Sequence, residues 1–425
     1  MKRPLSVMDN FMWFASKKRM MPFVICMRVR GKFTPDQFFT GLEKLKTKYP
    51  WIISRVVEEE KQTYFVQENV PDIPVRVLDR QSDDHWRSLA KAEMSCPFPP
   101  ETGPFIRFHI FKGEEVSEIM TTTHHVLGDG MAIIFLMRDF IDFIAHPKQE
   151  TQPLPPLPTF TELVPLETVQ RLQDYIPDSA RATMEAGPTD MVAAELTAFN
   201  QDITQESPLH ILSWEMTTAE TASFVERARK EKVSVGAAIC TAFLIAFSKT
   251  KQAEDARLSA GFPVDMRKRY IEPANEFFSN HLTYAQVFLD NAPGTNFWET
   301  AREIHSQLIE ETADDKVFGL VIFLEKMIAM LPPSMMFNQP MPQQAGHNLV
   351  ITNLGRLEIP QRHGNLQLEA IYGPVVNGYE EEIGLGVNTF NDVLRFVFAF
   401  REKRLPLNTG EQIKSTVMKL IRSVI

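Results

Sequence analysis

The sequence predicts an α/β fold in two subdomains, each a mixed sheet flanked by helices. Three observations carry that expectation. The chain has 425 residues, more than one compact core usually holds. Strand-like runs alternate with amphipathic helical patterns on both sides of the middle. Between them, residues 147–160 contain Pro147, Pro153, Pro155, Pro156 and Pro158, a composition that favours extended geometry and stops helices. The expected division is therefore 1–146, a linker at 147–160, and 161–425.

The elements follow in order. Residues 21–30 are rich in β-formers and precede Thr34-Pro35-Asp36-Gln37, where Thr34 caps a helix, Pro35 fits its first turn and Gln37 completes a capping box. Phe38, Leu42, Leu45 and Tyr49 then recur at helical spacing until Pro50, which makes a β-α unit. Residues 105–111 and 117–123 form two further β-rich runs, separated by the turn Lys112-Gly113-Glu114-Glu115. From Gly130, the positions Ile133, Leu136, Met137, Phe140, Ile141 and Ile144 trace one helical face, with Arg138, Asp139 and Asp142 on the other. In the second half the pattern predicts a strand at 209–216 and a helix at 218–230. Ser234 caps an apolar helix at 235–247. Later strands are expected at 258–262, 282–289, 349–352, 366–371, 383–390 and 394–400, and helices at 296–311 and 411–423. No repeat of solenoid period is present.

Composition narrows the function. With 44% hydrophobic and 23% charged residues the chain matches globular usage. A net charge of −9 argues against nucleic acid as a partner. The basic runs Lys17-Lys18-Arg19 and Arg267-Lys268-Arg269 leave two readings open: contacts to coenzyme phosphates or an acidic carrier protein, or solvated faces. The cysteines Cys26, Cys96 and Cys240 form neither a paired framework nor a CxxC site, which suits a reducing compartment. The start holds no apolar stretch long enough for a signal peptide. No run approaches the ~20 residues that span a bilayer. A cytoplasmic, non-membrane protein is the expectation. Met327 to Pro342, with five methionines and four prolines, is either an adaptable lining for a lipophilic tunnel or ordinary core filling.

The chemistry concentrates in His124-His125-Val126-Leu127-Gly128-Asp129-Gly130, which joins a strand to a helix. An imidazole accepts a proton near neutral pH, and a positioned general base contributes roughly 10² to 10⁴ in rate. His125 suits that role at the exit of the strand. Gly128 and Gly130 permit the tight geometry and close approach a larger residue would block. Asp129, at the mouth of the helix, is expected to hold the loop through backbone amides or a cation before it orients the imidazole. The alternative is a pair of structural histidines or half of a metal site. No further His, Cys or Asp cluster supplies metal ligands at the usual spacing, so no metal is expected. GxSxG, HExxH and GxxxxGK[ST] are all missing, so a direct transfer without an acyl-serine follows.

The HHxxxDG pattern resembles the superfamily of coenzyme A-dependent acyltransferases that includes nonribosomal peptide condensation domains, chloramphenicol acetyltransferase, polyketide-associated acyltransferases and wax ester synthases. Leu5-Ser6-Val7-Met8-Asp9 is similar to the family's opening, and Gly103-Pro104-Phe105-Ile106-Arg107 to the strand before the motif. Pro263-Val264-Asp265-Met266-Arg267, Phe277-Phe278-Ser279-Asn280 and Val350-Ile351-Thr352-Asn353-Leu354-Gly355 resemble later segments in the same order. The resemblance implies two chloramphenicol acetyltransferase-like subdomains with a tunnel between them, where donor and acceptor meet at His125. It implies that Arg267 pairs with Asp129 to brace the loop, against the reading of a surface basic cluster. It also implies that Asn353 or Thr352 lies near the developing oxyanion, against the reading of a strand-end turn.

No permanently bound cofactor is implied. The co-substrate is an acyl-CoA or phosphopantetheine thioester, and an acyl or peptidyl carrier protein is a candidate partner. Ala132 stands where condensation domains often carry serine, no DFGWG segment occurs, and Ser234 to Ala238 lacks the Asn-Asp pair of wax ester synthases. A free-standing O-acyltransferase acting on a lipophilic alcohol is the expectation. An amide-forming condensation enzyme and a non-catalytic binding module are the alternatives.

Overall fold

The computed structural model describes the chain apart from residues 18–20, 61, 179, 182–206, 251–256, 272–276, 291–295, 331–348 and 377–382. Its first half runs β1 (Lys2–Pro4), α1 (Val7–Ser16), β2 (Pro22–Arg30), α2 (Pro35–Lys48), β3 (Arg55–Glu58), β4 (Thr63–Val66), β5 (Val75–Asp79), α3 (His85–Met94), β6 (Ile106–Lys112), β7 (Val116–His124) and α4 (Gly130–Ala145). The capping box of α2 forms as expected: Gln37 N–H donates to Thr34 Oγ1, and Thr34 N–H donates to Gln37 Oε1. Phe38 on α2 meets Phe140 on α4 edge-on, ring centroids 5.0 Å apart. Phe38, Leu42 and Leu45 are all buried, each contributing about 1.5–3 kcal/mol.

The sequence reading passed over α1. Its residues Met8, Met12, Trp13, Phe14 and Ala15 are all buried, so no clean apolar stripe marks it. Its local signal is the capping box between Ser6 and Asp9.

The second half contains β8 (Leu209–Glu215), β9 (Leu258–Asp265), β10 (Leu282–Leu289), β11 (Leu349–Arg356), β12 (Arg362–His363), β13 (Leu366–Val376), β14 (Gly384–Phe390) and β15 (Val393–Arg401). Helices Thr218–Lys230, Val235–Ser248, Phe297–Glu311, Asp314–Met330 and Leu407–Val424 accompany them. Two six-stranded sheets result, ordered β12-β13-β2-β7-β6-β5 and β10-β9-β11-β14-β15-β8. Both are mixed: β5 pairs parallel with β6, and β11 parallel with both β14 and β9. The predicted α/β class, with two mixed sheets flanked by helices, is the one observed.

The two halves exchange elements. Strands β12 and β13 come late in the chain yet complete the first sheet, β13 pairing antiparallel with β2 so that Tyr372 faces Cys26. Trp86 of α3 stacks on Tyr372 at 5.2 Å. In return, Met8 of α1 packs in one apolar cluster with Met266, Tyr270, Phe318 and Val321 of the second half. Periodicity identifies a buried strand but not the sheet that takes it. Of the Met327 to Pro342 stretch, residues from 331 onward lie outside the described residues. Among the described residues, no single helix is long and apolar enough to cross a membrane.

Candidate active site

The end of β7 lies between two neighbours. His124 N–H donates to the Phe105 carbonyl at 2.9 Å, and His125 N–H to the Met21 carbonyl at 3.0 Å. Successive side chains of a strand point to opposite faces, so the two histidines meet different surroundings. His124 lies among Trp13, Phe98 and Phe105, ring centroids 6.2, 6.0 and 5.4 Å away. Its Nδ1 accepts from the Val126 N–H at 3.0 Å, which puts the ring proton on Nε2. Burial, with the neighbouring His125 charge adding, pushes its pKa down to about 3. His124 is thus held neutral. His125 is half-buried, its ring 4.6 Å from that of Phe23. Its carbonyl accepts from Asn280 Nδ2 at 2.7 Å.

Asp129 caps α4, its Oδ1 accepting from the Ala132 N–H at 2.9 Å. The structure brings Asp129 and Arg267 together. Arg267 Nη1 donates to Asp129 Oδ2 at 2.9 Å, and Nη2 to Oδ1 at 3.0 Å, a two-pronged pair of the kind a guanidinium favours. His281 N–H adds a donor to Oδ2 at 2.8 Å. Burial alone would raise the Asp129 pKa, but the Arg267 charge and these hydrogen bonds hold it below its ordinary value. Arg267 is only 1% exposed and also donates to Asp265 Oδ1 at 3.0 Å and to the Ser279 carbonyl at 3.1 Å. It is therefore no solvated basic patch. Of the other basic residues, Arg269 pairs with Asp314 and Lys17 with Glu58, Lys268 is exposed, and Lys18 and Arg19 lie outside the described residues.

The glycines serve close approach. A Cβ on Gly128 would come within 3.0 Å of the Ala132 Cβ, and one on Gly130 within 3.1 Å of Leu354 Cδ2. Neither has the positive φ that would demand glycine for conformation alone.

A second buried carboxylate lies beside the first. Asp9 of α1 is 0% exposed. Its Oδ2 accepts from Ser279 Oγ at 2.8 Å, and its Oδ1 from Asn280 N–H at 3.0 Å and Asn280 Nδ2 at 2.9 Å. Residues 279–281 are thereby clasped between Asp9 and Asp129. Sequence reasoning quoted Asp9 and Asn280 as points of resemblance without linking them, and it missed His281. The available signal was an ionisable residue set among Val7, Met8, Phe11 and Met12 at the start of α1.

Asn353 lies on β11. Its Oδ1 accepts from the Gly355 N–H at 2.9 Å, not at a strand-end turn but inside β11, where the register with β14 shifts between Asn353 and Arg356 and Gly355 takes a φ of +67°. Its Nδ2 lies 3.2 Å from the place a Cβ on Gly236 would take. Thr352 precedes it, half-buried. A cleft of about 500 Å³ opens beside His124, walled by Trp13, Pro22, Val56, Phe98 and Phe105. Among the described residues, no group of three or more His, Cys, Asp or Glu is arranged to hold a metal ion.

Comparison with known proteins gives this geometry its context. The family model described as Condensation domain matches residues 3–269. One described as phthiocerol/phthiodiolone dimycocerosyl transferase C-terminus matches residues 206–386. The nonribosomal peptide synthetase kk1B of Curvularia clavata is 26% identical over 134 residues, covering 31% of this chain and 1% of its own length. Polyketide synthase PksN of Bacillus subtilis (strain 168) is 27% identical over 154 residues, covering 32% and 3%. The chain thus spans only 1% to 3% of the length of these curated relatives. The solved structure of TRI3 trichothecene 15-O-acetyltransferase from Fusarium sporotrichioides superposes with a TM-score of 0.73 at 12% identity, covering 100% of this chain and 95% of that one. Polyketide synthase associated protein 5 from Mycobacterium tuberculosis gives 0.64 at 16% identity, covering 99% and 98%. At such identities the likeness is one of fold.

Proposed function

Because the chain belongs to the condensation-domain family, we propose that it moves an acyl group from a coenzyme A or carrier-protein thioester to the hydroxyl of a lipophilic acceptor, with His125 as general base. The supporting observation is the contrast between the two histidines. His124 is held neutral with its Nδ1 occupied by a backbone amide, whereas His125 is half-buried at the end of a strand whose following loop is pinned by a buried ion pair. In this reading His125 takes the proton of the acceptor hydroxyl as its oxygen attacks the thioester carbonyl. A C–O bond forms, the carbonyl becomes an oxyanion, and its collapse breaks the C–S bond. The proton passes from His125 to the departing thiolate.

Asp129 and Arg267 hold the loop, while Gly128 and Gly130 let it pack. Asn353 is assigned to the oxyanion through Nδ2, since its Oδ1 is committed to Gly355. Residues 1–146, completed by β12 and β13, and the remainder of 161–425 serve as the two lobes around the reacting groups, with the substrates meeting in a tunnel between them. The test is thiol release from acyl-CoA in the presence of an alcohol panel, for the parent and His125→Ala; full activity in that variant would end the reading. The match to a nonribosomal peptide synthetase over 134 residues favours a second reading with an amine acceptor. Mass spectrometry that finds amides and no esters would select it.

A further inference from the structure

We infer that Asn280 is a positioning residue for His125 and that Asp9 fixes its orientation, an inference that rests on the reading of His125 as the base. His125 is the residue immediately after β7. Its N–H is held by the Met21 carbonyl at 3.0 Å. Its carbonyl is held by Asn280 Nδ2 at 2.7 Å, from a residue 155 positions away. A part-buried carbonyl needs such a donor.

An asparagine amide can present either oxygen or nitrogen to a neighbour, and the hydrogen-bonding partners decide which. Here Asp9 decides it. Nδ2 faces Asp9 Oδ1 at 2.9 Å as well as the His125 carbonyl, and an ionised carboxylate accepts without donating. With oxygen turned that way, two buried acceptors would confront a third. Asp9 is itself fixed by Ser279 Oγ and the Asn280 N–H. The peptide plane that leaves His125 is therefore set by a knot of α1, the end of β7 and the 279–281 loop. Four residues later Asp129 anchors the same loop through Arg267 and His281. His125 is bracketed by two buried carboxylates, and Asn280 is the only member of the brace shown bonding to the histidine's own backbone among the described contacts. Misplacement of a reacting group by about 1 Å costs roughly 10² in rate.

Two measurements on the full chain test the inference. In the first, thiol release from octanoyl-coenzyme A with 1-decanol is followed in the parent, His125→Ala, Asn280→Ala and the exchanged pair Asp9→Asn/Asn280→Asp. Asn280→Ala is expected to lower kcat about tenfold or more with KM for the thioester little changed. The exchanged pair rebuilds a side-chain bond between positions 9 and 280 but no donor to the His125 carbonyl. It should regain only part of the thermal midpoint, since a carboxylate then faces the His125 carbonyl, and none of the kcat; recovery of kcat would reduce Asn280 to a structural part and overturn the inference.

In the second, diethylpyrocarbonate modification of His125 is timed by peptide mass spectrometry, which needs no turnover. Its rate should change about threefold or more in Asn280→Ala while exposed His146 keeps its own, and an unchanged His125 rate would overturn the inference. If His125→Ala retains turnover, the reading of the base fails, while the modification arm still decides whether Asn280 positions the ring. Asn280→Ser, which keeps a polar side chain beside Asp9, carries the same measurements if the alanine variant does not fold.

Discussion

The end of β7 and the register break within β11 carry the proposed chemistry, and they are held in opposite ways. At β7 the loop after His125 is pinned by Asp129 and Arg267, 138 positions apart, and by Asn280, 155 positions from His125. At β11 the bulge closes from Asn353 onto Gly355, two positions on. The two segments approach each other where Leu354 packs over Gly130. Rigidity at the first is imported from distant chain and paid for by burying charge; at the second it is local. Long-range clasps therefore belong to the group assigned to take the proton, and a single local bulge to the group assigned to donate a hydrogen bond.

The largest break in this asymmetry is His125→Ala. Turnover should fall by roughly 10² to 10⁴, the usual worth of a positioned base, with the fold retained by circular dichroism. Loss below about threefold would place the chemistry elsewhere. Next is Arg267→Ala, which leaves Asp129 buried beside Asp265 without its guanidinium. Removing one partner of a buried ion pair costs about 3–5 kcal/mol, measurable by urea unfolding. A cost under about 1 kcal/mol would show the pair to behave as a surface bridge. Arg267→Lys should restore charge but not the two-pronged geometry, and so recover only part of the loss.

A smaller effect sharpens the other side. Asn353→Asp keeps an oxygen for the Gly355 amide and removes the Nδ2 donor. The new carboxylate would lie near Gly236, in the first turn of helix Val235–Ser248, where negative charge is tolerated. The thermal midpoint should hold while kcat falls roughly tenfold, the low end for a hydrogen bond to a charged group. Unchanged kcat would leave β11 with a bulge and no part in the reaction.

What was legible in the sequence divides along the same line. The caps of α2 and of helix Val235–Ser248, the β6–β7 hairpin and the strand-to-helix passage at His124 to Gly130 all rest on residues a few positions apart, and pattern alone placed them closely. Strand β13 was visible as a strand, but its place beside β2 depends on a partner more than 300 positions away, which periodicity does not encode. The Arg267 to Asp129 pair came from resemblance, since nothing in Arg267-Lys268-Arg269 distinguishes the buried guanidinium from its two more exposed neighbours. The Asp9, Asn280 and His125 knot escaped for a related reason: each residue is unremarkable in its own window, and only the folded chain shows three polar groups closing on one another inside an apolar setting.

The last prediction separates His124 from His125 by pH. The His124 pKa, at about 3 in the fold, lies below the ordinary 6.5. The unfolded chain therefore binds this proton more tightly than the folded one. The stability His124 contributes is full above about pH 6.5 and drains away as pH falls toward 3. Burial lowers His281 to about 3 as well, with the same sign. Asp129 acts in a different range: its depressed carboxyl is lost only as pH falls below the ordinary 3.8. Between pH 6 and 4.5 each of the two histidines therefore costs at most about 1.4 kcal/mol per pH unit. His124→Asn offers an oxygen to the Val126 amide in place of Nδ1 and cannot titrate. Urea unfolding at several pH values in that window should show a slope shallower than the parent's by up to that amount, with the His281 share remaining. An identical slope would mean that His124 already carries its proton in the fold. The division of labour between the two histidines, one a neutral mount and the other a working base, would then have no physical footing.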